Sequence, residues 1–95
     1  MRKMTNSGKV LVSTIVPALN EEGNIDEFCR QFAEMTGTSR FDNELVFIDD
    51  GSTDATLMRI KENASKYPFI RFASHGRNRG LTESLQTGFA AASGS

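Results

Sequence analysis

Two clusters of polar side chains in this sequence stand at the ends of apolar runs, which is where an open α/β sheet holds its ligands. The run Glu44-Leu45-Val46-Phe47-Ile48 leads straight into Asp49-Asp50-Gly51-Ser52-Thr53-Asp54, and the run from Val12 to Val16 leads into Pro17-Ala18-Leu19-Asn20-Glu21-Glu22. Adjacent carboxylates at a buried strand end repel each other, so Asp49 or Asp50 must meet a ligand or a nest of backbone N–H groups. In extended backbone the two face opposite sides, and only one can point into a crevice. A carboxylate accepting two hydrogen bonds suits the imide or amide edge of a nucleobase, or the hydroxyls of a ribose. Gly51 lets the chain double back close to a ligand without a Cβ in the way. Across the same crevice, Pro17 fixes the exit of the first strand while Asn20 and Glu21 offer an amide and a carboxylate.

Each of these residues also has a purely structural reading. Asp54 falls in a first helical turn, where the helix dipole stabilises a carboxylate, and Ser52 or Thr53 can serve as its N-cap. Asn20 and Glu22 can be loop and helix-entry residues. Arg71, His75, Arg77 and Arg79 concentrate positive charge near the exit of a third apolar run, and Arg77-Asn78-Arg79-Gly80 can reach a diphosphate or simply form a solvated loop. His75, the single histidine, has no companions at metal-ligand spacing. There is no glycine-lysine phosphate loop and no G-x-G-x-x-G, and Asp49 to Asp54 lacks the spacing of a calcium-binding loop.

The elements that carry these residues alternate. Val10 to Val16 is β-branched and almost continuously apolar, as a strand covered on both faces should be. Asn24 is placed to cap a helix, with Glu27 in the capping-box position, and Ile25, Phe28, Cys29 and Phe32 repeat at helical spacing up to Gly37. Glu44 to Ile48 forms the second strand. Leu57, Ile60, Ala64 and Tyr67 share one face of a second helix that Pro68 stops. Phe69 to Ser74 is a third strand, and Leu81, Leu85, Phe89 and Ala92 mark a third helix running to Gly94. This β-α-β-α-β-α order predicts a three-layer α/β/α fold around a parallel, Rossmann-like sheet, spanning residues 10–95 after a polar leader at 1–9. Three strands leave an open edge, which predicts a segment of a larger domain or self-association through that edge.

Composition excludes several functions. With 38% hydrophobic residues, 24% charged residues and a formal net charge of −1, nothing draws the chain towards nucleic acid. No apolar run has the length of a membrane span, and Met1 to Val10 lacks the apolar core of an export signal. One cysteine, Cys29, forms no intrachain disulfide and reads as a small hydrophobe on a helix face. The triplet Asn63-Ala64-Ser65 reads as an accidental glycosylation acceptor.

Strand-P-A-L-N-E-E, strand-I-D-D-G-S-T-D-A-T, then R-N-R-G and G-F-A-A-A-S-G together resemble the N-terminal half of a family 2 glycosyltransferase of the GT-A fold, closest in pattern to the polyprenyl-phosphate branch that includes dolichol-phosphate mannose synthases. The resemblance covers residues 10–94. It implies an inverting transferase whose donor is a nucleotide sugar such as a UDP or GDP sugar, whose acceptor is a membrane lipid such as a polyprenyl phosphate, and which works in the cytoplasm or at the cytoplasmic face of a membrane. Together with the reading above, it places the nucleotide on Pro17, Ala18, Leu19, Asn20, Glu21, Ile48, Asp50 and Gly51, with Ile48 and Asp50 at the base edge and Arg77 and Arg79 towards the diphosphate. The family usually carries an aromatic residue where Leu19 stands, and an aromatic or small one where Arg79 stands. Its divalent metal, Mg or Mn, is held by a D-x-D motif on a later strand, and its catalytic base lies later still. The resemblance therefore implies no catalytic residue and no metal ligand in this chain, and an isolated segment without transferase activity. The competing expectation is a small flavodoxin-like or receiver-like binding module.

Overall fold

The computed structural model describes residues 3–4 and 8–92, and every statement below concerns those residues. Along the chain lie β1 (Lys3–Met4), β2 (Val10–Ala18), α1 (Ile25–Thr36), β3 (Asp42–Asp49), α2 (Thr56–Lys66), β4 (Ile70–Ser74) and α3 (Leu81–Ala91). The strands form one sheet in the order β1-β2-β3-β4, with β2, β3 and β4 parallel. The polar leader contains a short strand that the sequence pattern does not reveal: Lys3 and Met4 pair antiparallel with Leu11 and Val10. Both longer strands exceed their apolar runs. β2 continues through Pro17 to Ala18 alongside Ile48 and Asp49, and β3 begins at Asp42 opposite Leu11.

Side-chain alternation splits the core into two layers. On one face, Val16, Ala18, Leu45, Phe47 and Ile70 pack with Ile25, Cys29 and Phe32 of α1 and Ile60 of α2. Aromatic rings extend this layer: Phe28 meets Phe47 edge-on at 6.0 Å between centroids, and Phe32 meets Phe69 at 5.3 Å. Such pairs contribute about 0.5–1.5 kcal/mol beyond the area they bury. α3 lies across the opposite face, so close to β2 that a Cβ on Gly88 would come within 2.3 Å of Ile15 Cγ2. Covered from both sides, Leu45, Val46, Phe47 and Ile48 are buried completely or nearly so, and each contributes roughly 1.5–3 kcal/mol.

The helix starts differ from the sequence expectation. Asn24 occupies the cap position of α1 without a capping hydrogen bond, because its amide donates to Glu21 Oε2 instead. Glu27 turns outward to Arg30 and Gln31. Neither Ser52 nor Thr53 caps α2, which starts later, after Ala55; the carboxylate of Asp54 takes the N–H of Thr56. Gly37 ends α1 as expected. α3 ends at Ala91, and the expected continuation to Gly94 falls partly outside the described residues. Asn63 is buried, its amide donating to Asp26 Oδ1 and the Arg59 carbonyl, so the glycosylation triplet is structural. No helix among the described residues is long and apolar enough to cross a membrane.

Candidate nucleotide-binding site

The carboxyl ends of β2 and β3 are clasped together by the residues that follow them. Asn20 takes a left-handed backbone (φ 54°), a conformation Asn tolerates better than most residues. Its N–H donates to Ser52 Oγ (3.0 Å), and its Oδ1 accepts from the Thr53 N–H (2.9 Å). One residue on, Glu21 N–H donates to the fully buried Thr56 Oγ1 at 2.8 Å. Much of the polar chemistry in the two lips thus holds the lips to each other. Asn20 is spent on this clasp through its oxygen, while Glu21 keeps its side chain near a crevice.

Asp49 and Asp50 diverge as extended backbone requires. Asp49 turns to the Ser52 N–H and the Ser74 hydroxyl. Asp50 turns to the α3 side and meets the loop before that helix, where its Oδ1 accepts from Arg79 N–H (2.8 Å) and its Oδ2 from Gly80 N–H (3.0 Å). These N–H groups form the nest that a buried carboxylate needs. They, and the hydrogen bond from His75, hold the Asp50 carboxyl below the usual aspartate range. Gly51 does approach backbone closely, but the backbone is the chain's own: at φ +82°, a Cβ here would lie 2.3 Å from the Arg77 carbonyl carbon.

His75 is the largest departure from the sequence reading. It belongs to no solvated loop, since its side chain is 5% exposed. Nδ1 lies 2.8 Å from Asp50 Oδ1, and Nε2 lies 2.8 Å from Thr87 Oγ1 on α3. An ionised carboxylate only accepts, so Nδ1 carries a proton and donates to Asp50, while Nε2 meets the Thr87 hydroxyl. The histidine ties the end of β3 to the middle of α3.

Two crevices flank the end of β2. The one under the α3 N-terminus has a volume of about 230 Å³ and is lined by Pro17, Ala18, Leu19 and Asp50, with Gly80 and Ser84 of the α3 side. The other, about 220 Å³, lies against α1 and takes in Pro17, Ala18, Glu21 and Phe28. Ile48 is buried in the sheet below, and Asn20, Gly51, Arg77 and Arg79 line neither crevice. Arg79 works through its backbone, its guanidinium lying 3.9 Å from Glu83 on the surface. Sequence reasoning missed Leu81 and Ser84. Ser84 is fully buried and its hydroxyl has no partner; its only sequence signal is a small polar residue one turn into a helix. Leu19, half-exposed at the crevice mouth, supplies apolar surface where the resemblance leads to an aromatic ring.

A metal does not fit the residues present. The lip carboxylates do not converge: Asp49 and Asp50 point to opposite faces, and Asp54 is turned to Thr56 and the Glu22 N–H. No group of acidic, histidine or cysteine side chains among the described residues is arranged to hold an ion.

The sequence model for glycosyl transferase family 2 matches residues 13–95. The chain belongs to that family. Within it, the chain is 36% identical over 84 residues to a dolichol-phosphate mannosyltransferase of Pyrococcus furiosus, covering 87% of this chain and 23% of the relative. It is 35% identical over 80 residues to an undecaprenyl-phosphate 4-deoxy-4-formamido-L-arabinose transferase of Pseudomonas fluorescens (82% and 23%). It is 33% identical over 79 residues to a putative glycosyltransferase of Bacillus subtilis (83% and 24%). A family fold also emerges from solved structures: a mannosyltransferase from Pyrobaculum calidifontis, determined with GDP-Man and Mn²⁺, superposes with a TM-score of 0.76 at 28% identity, over 88% of this chain and 24% of that one. The chain spans about a quarter of the length of these relatives.

Proposed function

We propose that this chain is the donor-nucleotide-binding part of an inverting glycosyltransferase that moves a sugar from a UDP or GDP donor to a polyprenyl phosphate at the cytoplasmic face of a membrane. The observation that carries the reading is the crevice beneath α3, where the ends of β2 and β3 meet and Asp50 is held ionised by backbone N–H groups. A carboxylate fixed in this way costs little reorganisation when a base edge arrives. Pro17, Ala18 and Leu19 offer an apolar wall beside it, and Glu21 opens onto the neighbouring crevice. Arg77, exposed on the loop that crosses Gly51, is placed to extend towards a diphosphate. The relatives named for undecaprenyl and dolichol phosphate support the acceptor class, and the neighbour bound to GDP-Man and Mn²⁺ supports a nucleotide-sugar donor accompanied by a divalent ion. On this reading the divalent ion and the catalytic base are supplied from outside this segment, as the family resemblance implies. Extension of the sheet or self-association would use its terminal strands, β4 on one side and β1 with β2 on the other.

The test is transfer of sugar from a panel of UDP and GDP sugars to undecaprenyl phosphate by the full-length protein, with Asp50→Ala alongside. Formation of a polyprenyl-phosphate sugar that is lost in the variant is expected. No product from any donor in the panel contradicts the reading.

A further inference from the structure

The hydrogen bonds around Asp50 leave room for little else, and that restriction bears on which base the crevice takes. A carboxylate has about four acceptor positions, two on each oxygen. On Asp50, Oδ1 receives both Arg79 N–H and His75 Nδ1, each at 2.8 Å, and Oδ2 receives Gly80 N–H at 3.0 Å. One position remains, on Oδ2, and Asp50 contributes to the crevice wall. Asn78 lines the same wall; its Oδ1 accepts from Gly80 N–H at 3.0 Å, which leaves its amide N–H groups as donors. The crevice therefore offers a single anionic acceptor position together with an amide donor and the neutral hydroxyl of Ser84.

We propose that His75 is a positioning residue that sets base specificity: by filling Oδ1 of Asp50 it leaves one acceptor, which fits the single imide N–H of uracil flanked by its carbonyls and disfavours the paired N1–H and N2–H donors of guanine. The inference rests on the crevice being the donor-nucleotide site. Guanine would leave one of its two donors without the carboxylate, and an unmade hydrogen bond to a charged group corresponds to at least about tenfold in affinity. The Asp50 carboxylate, which only accepts, keeps a proton on Nδ1, and the Thr87 hydroxyl 2.8 Å from Nε2 holds the ring in the orientation that fills Oδ1.

The experiment is calorimetric titration of the full-length protein with UDP and with GDP at fixed Mn²⁺, repeated on His75→Ala and His75→Asn, with circular dichroism to verify folding. UDP is expected to bind about tenfold or more tightly than GDP. His75→Ala, which frees an acceptor on Oδ1, should shrink that ratio towards unity, whereas His75→Asn, which places an amide N–H near the Nδ1 position, should retain most of it. A purely structural role for His75 would weaken both nucleotides together and leave the ratio unchanged, which overturns the proposal. Equal or tighter GDP binding by the unmodified protein overturns it too, without a variant being needed, while leaving the nucleotide site intact. Failure of both nucleotides to bind would overturn the site itself and the proposal with it.

Discussion

Replacing Gly51 by alanine tests how far the loop before α3 depends on a missing side chain. Three glycines in this region have positive φ, Gly51 at +82°, Gly76 at +74° and Gly80 at +90°, but only the first is crowded. An added Cβ at Gly76 meets nothing within 4 Å, whereas at Gly51 it would lie 2.3 Å from Arg77 C, 2.4 Å from Asn78 N and 2.6 Å from Arg77 Cα. Both substitutions carry the cost of a left-handed conformation, about 1–2 kcal/mol. At Gly51 the obstructing atoms are backbone and cannot move aside by changing rotamer, so the loop itself must shift, which adds about 1–3 kcal/mol. Gly51→Ala is thus expected to cost roughly 3 kcal/mol, against roughly 1.5 kcal/mol for Gly76→Ala. Each kcal/mol lowers the melting temperature by about 2–8 °C, least in the largest domains, so the variants should separate in thermal and urea denaturation followed by circular dichroism. The displaced loop also carries the Arg79 and Gly80 N–H groups off Asp50, so Gly51→Ala should weaken nucleotide binding while Gly76→Ala leaves it largely intact. Equal melting of the two variants would refute the steric reasoning.

Further outcomes follow from the same hydrogen bonds. Thr56→Val removes the buried oxygen that accepts from Glu21 N–H, and urea denaturation should register a loss of about 1–3 kcal/mol. Asp50 has a folded pKa below its unfolded one, chiefly through the Arg79 N–H and then His75. Its stabilising contribution is therefore complete above the ordinary aspartate pKa and lost as pH falls through the folded value; Asp50→Asn should lower stability at neutral pH and flatten the acid side of a stability–pH profile. Burial pushes the Cys29 thiol up to about 11, so Ellman's reagent should leave it unlabelled in the native protein and label it once urea unfolds the chain.

The parts of this architecture that sequence discloses are those built from local periodicity. The apolar runs at Val12–Val16 and Glu44–Ile48, the helical repeat of Ile25, Cys29 and Phe32, and the alternation of the two aspartates across a strand all follow from the geometry of single elements. What stayed hidden depends on partners distant in the chain. Ser52 and Thr53 look like helix caps until Asn20, more than thirty residues earlier, claims the Ser52 hydroxyl and the Thr53 N–H. His75 has no local pattern, because its partners Asp50 and Thr87 stand 25 and 12 residues away. The β1 strand is too short to show a period, and only its register against Val10 and Leu11 defines it. In the site itself, Asp50, Pro17, Ala18 and Leu19 were legible as a strand-end crevice, whereas the use of Arg79 through its backbone and the buried hydroxyl of Ser84 required the packing of α3.

The most direct test of the central claim is amide chemical-shift mapping by NMR as the protein is titrated with UDP and GDP. Binding at the crevice beneath α3 should concentrate shifts at Ala18, Leu19, Asp50, Gly80, Leu81 and Ser84, and Asp50→Ala should abolish them. A well-dispersed spectrum with no shifts, or with shifts confined to the far end of the sheet around Val10 and Asp42, would contradict the account.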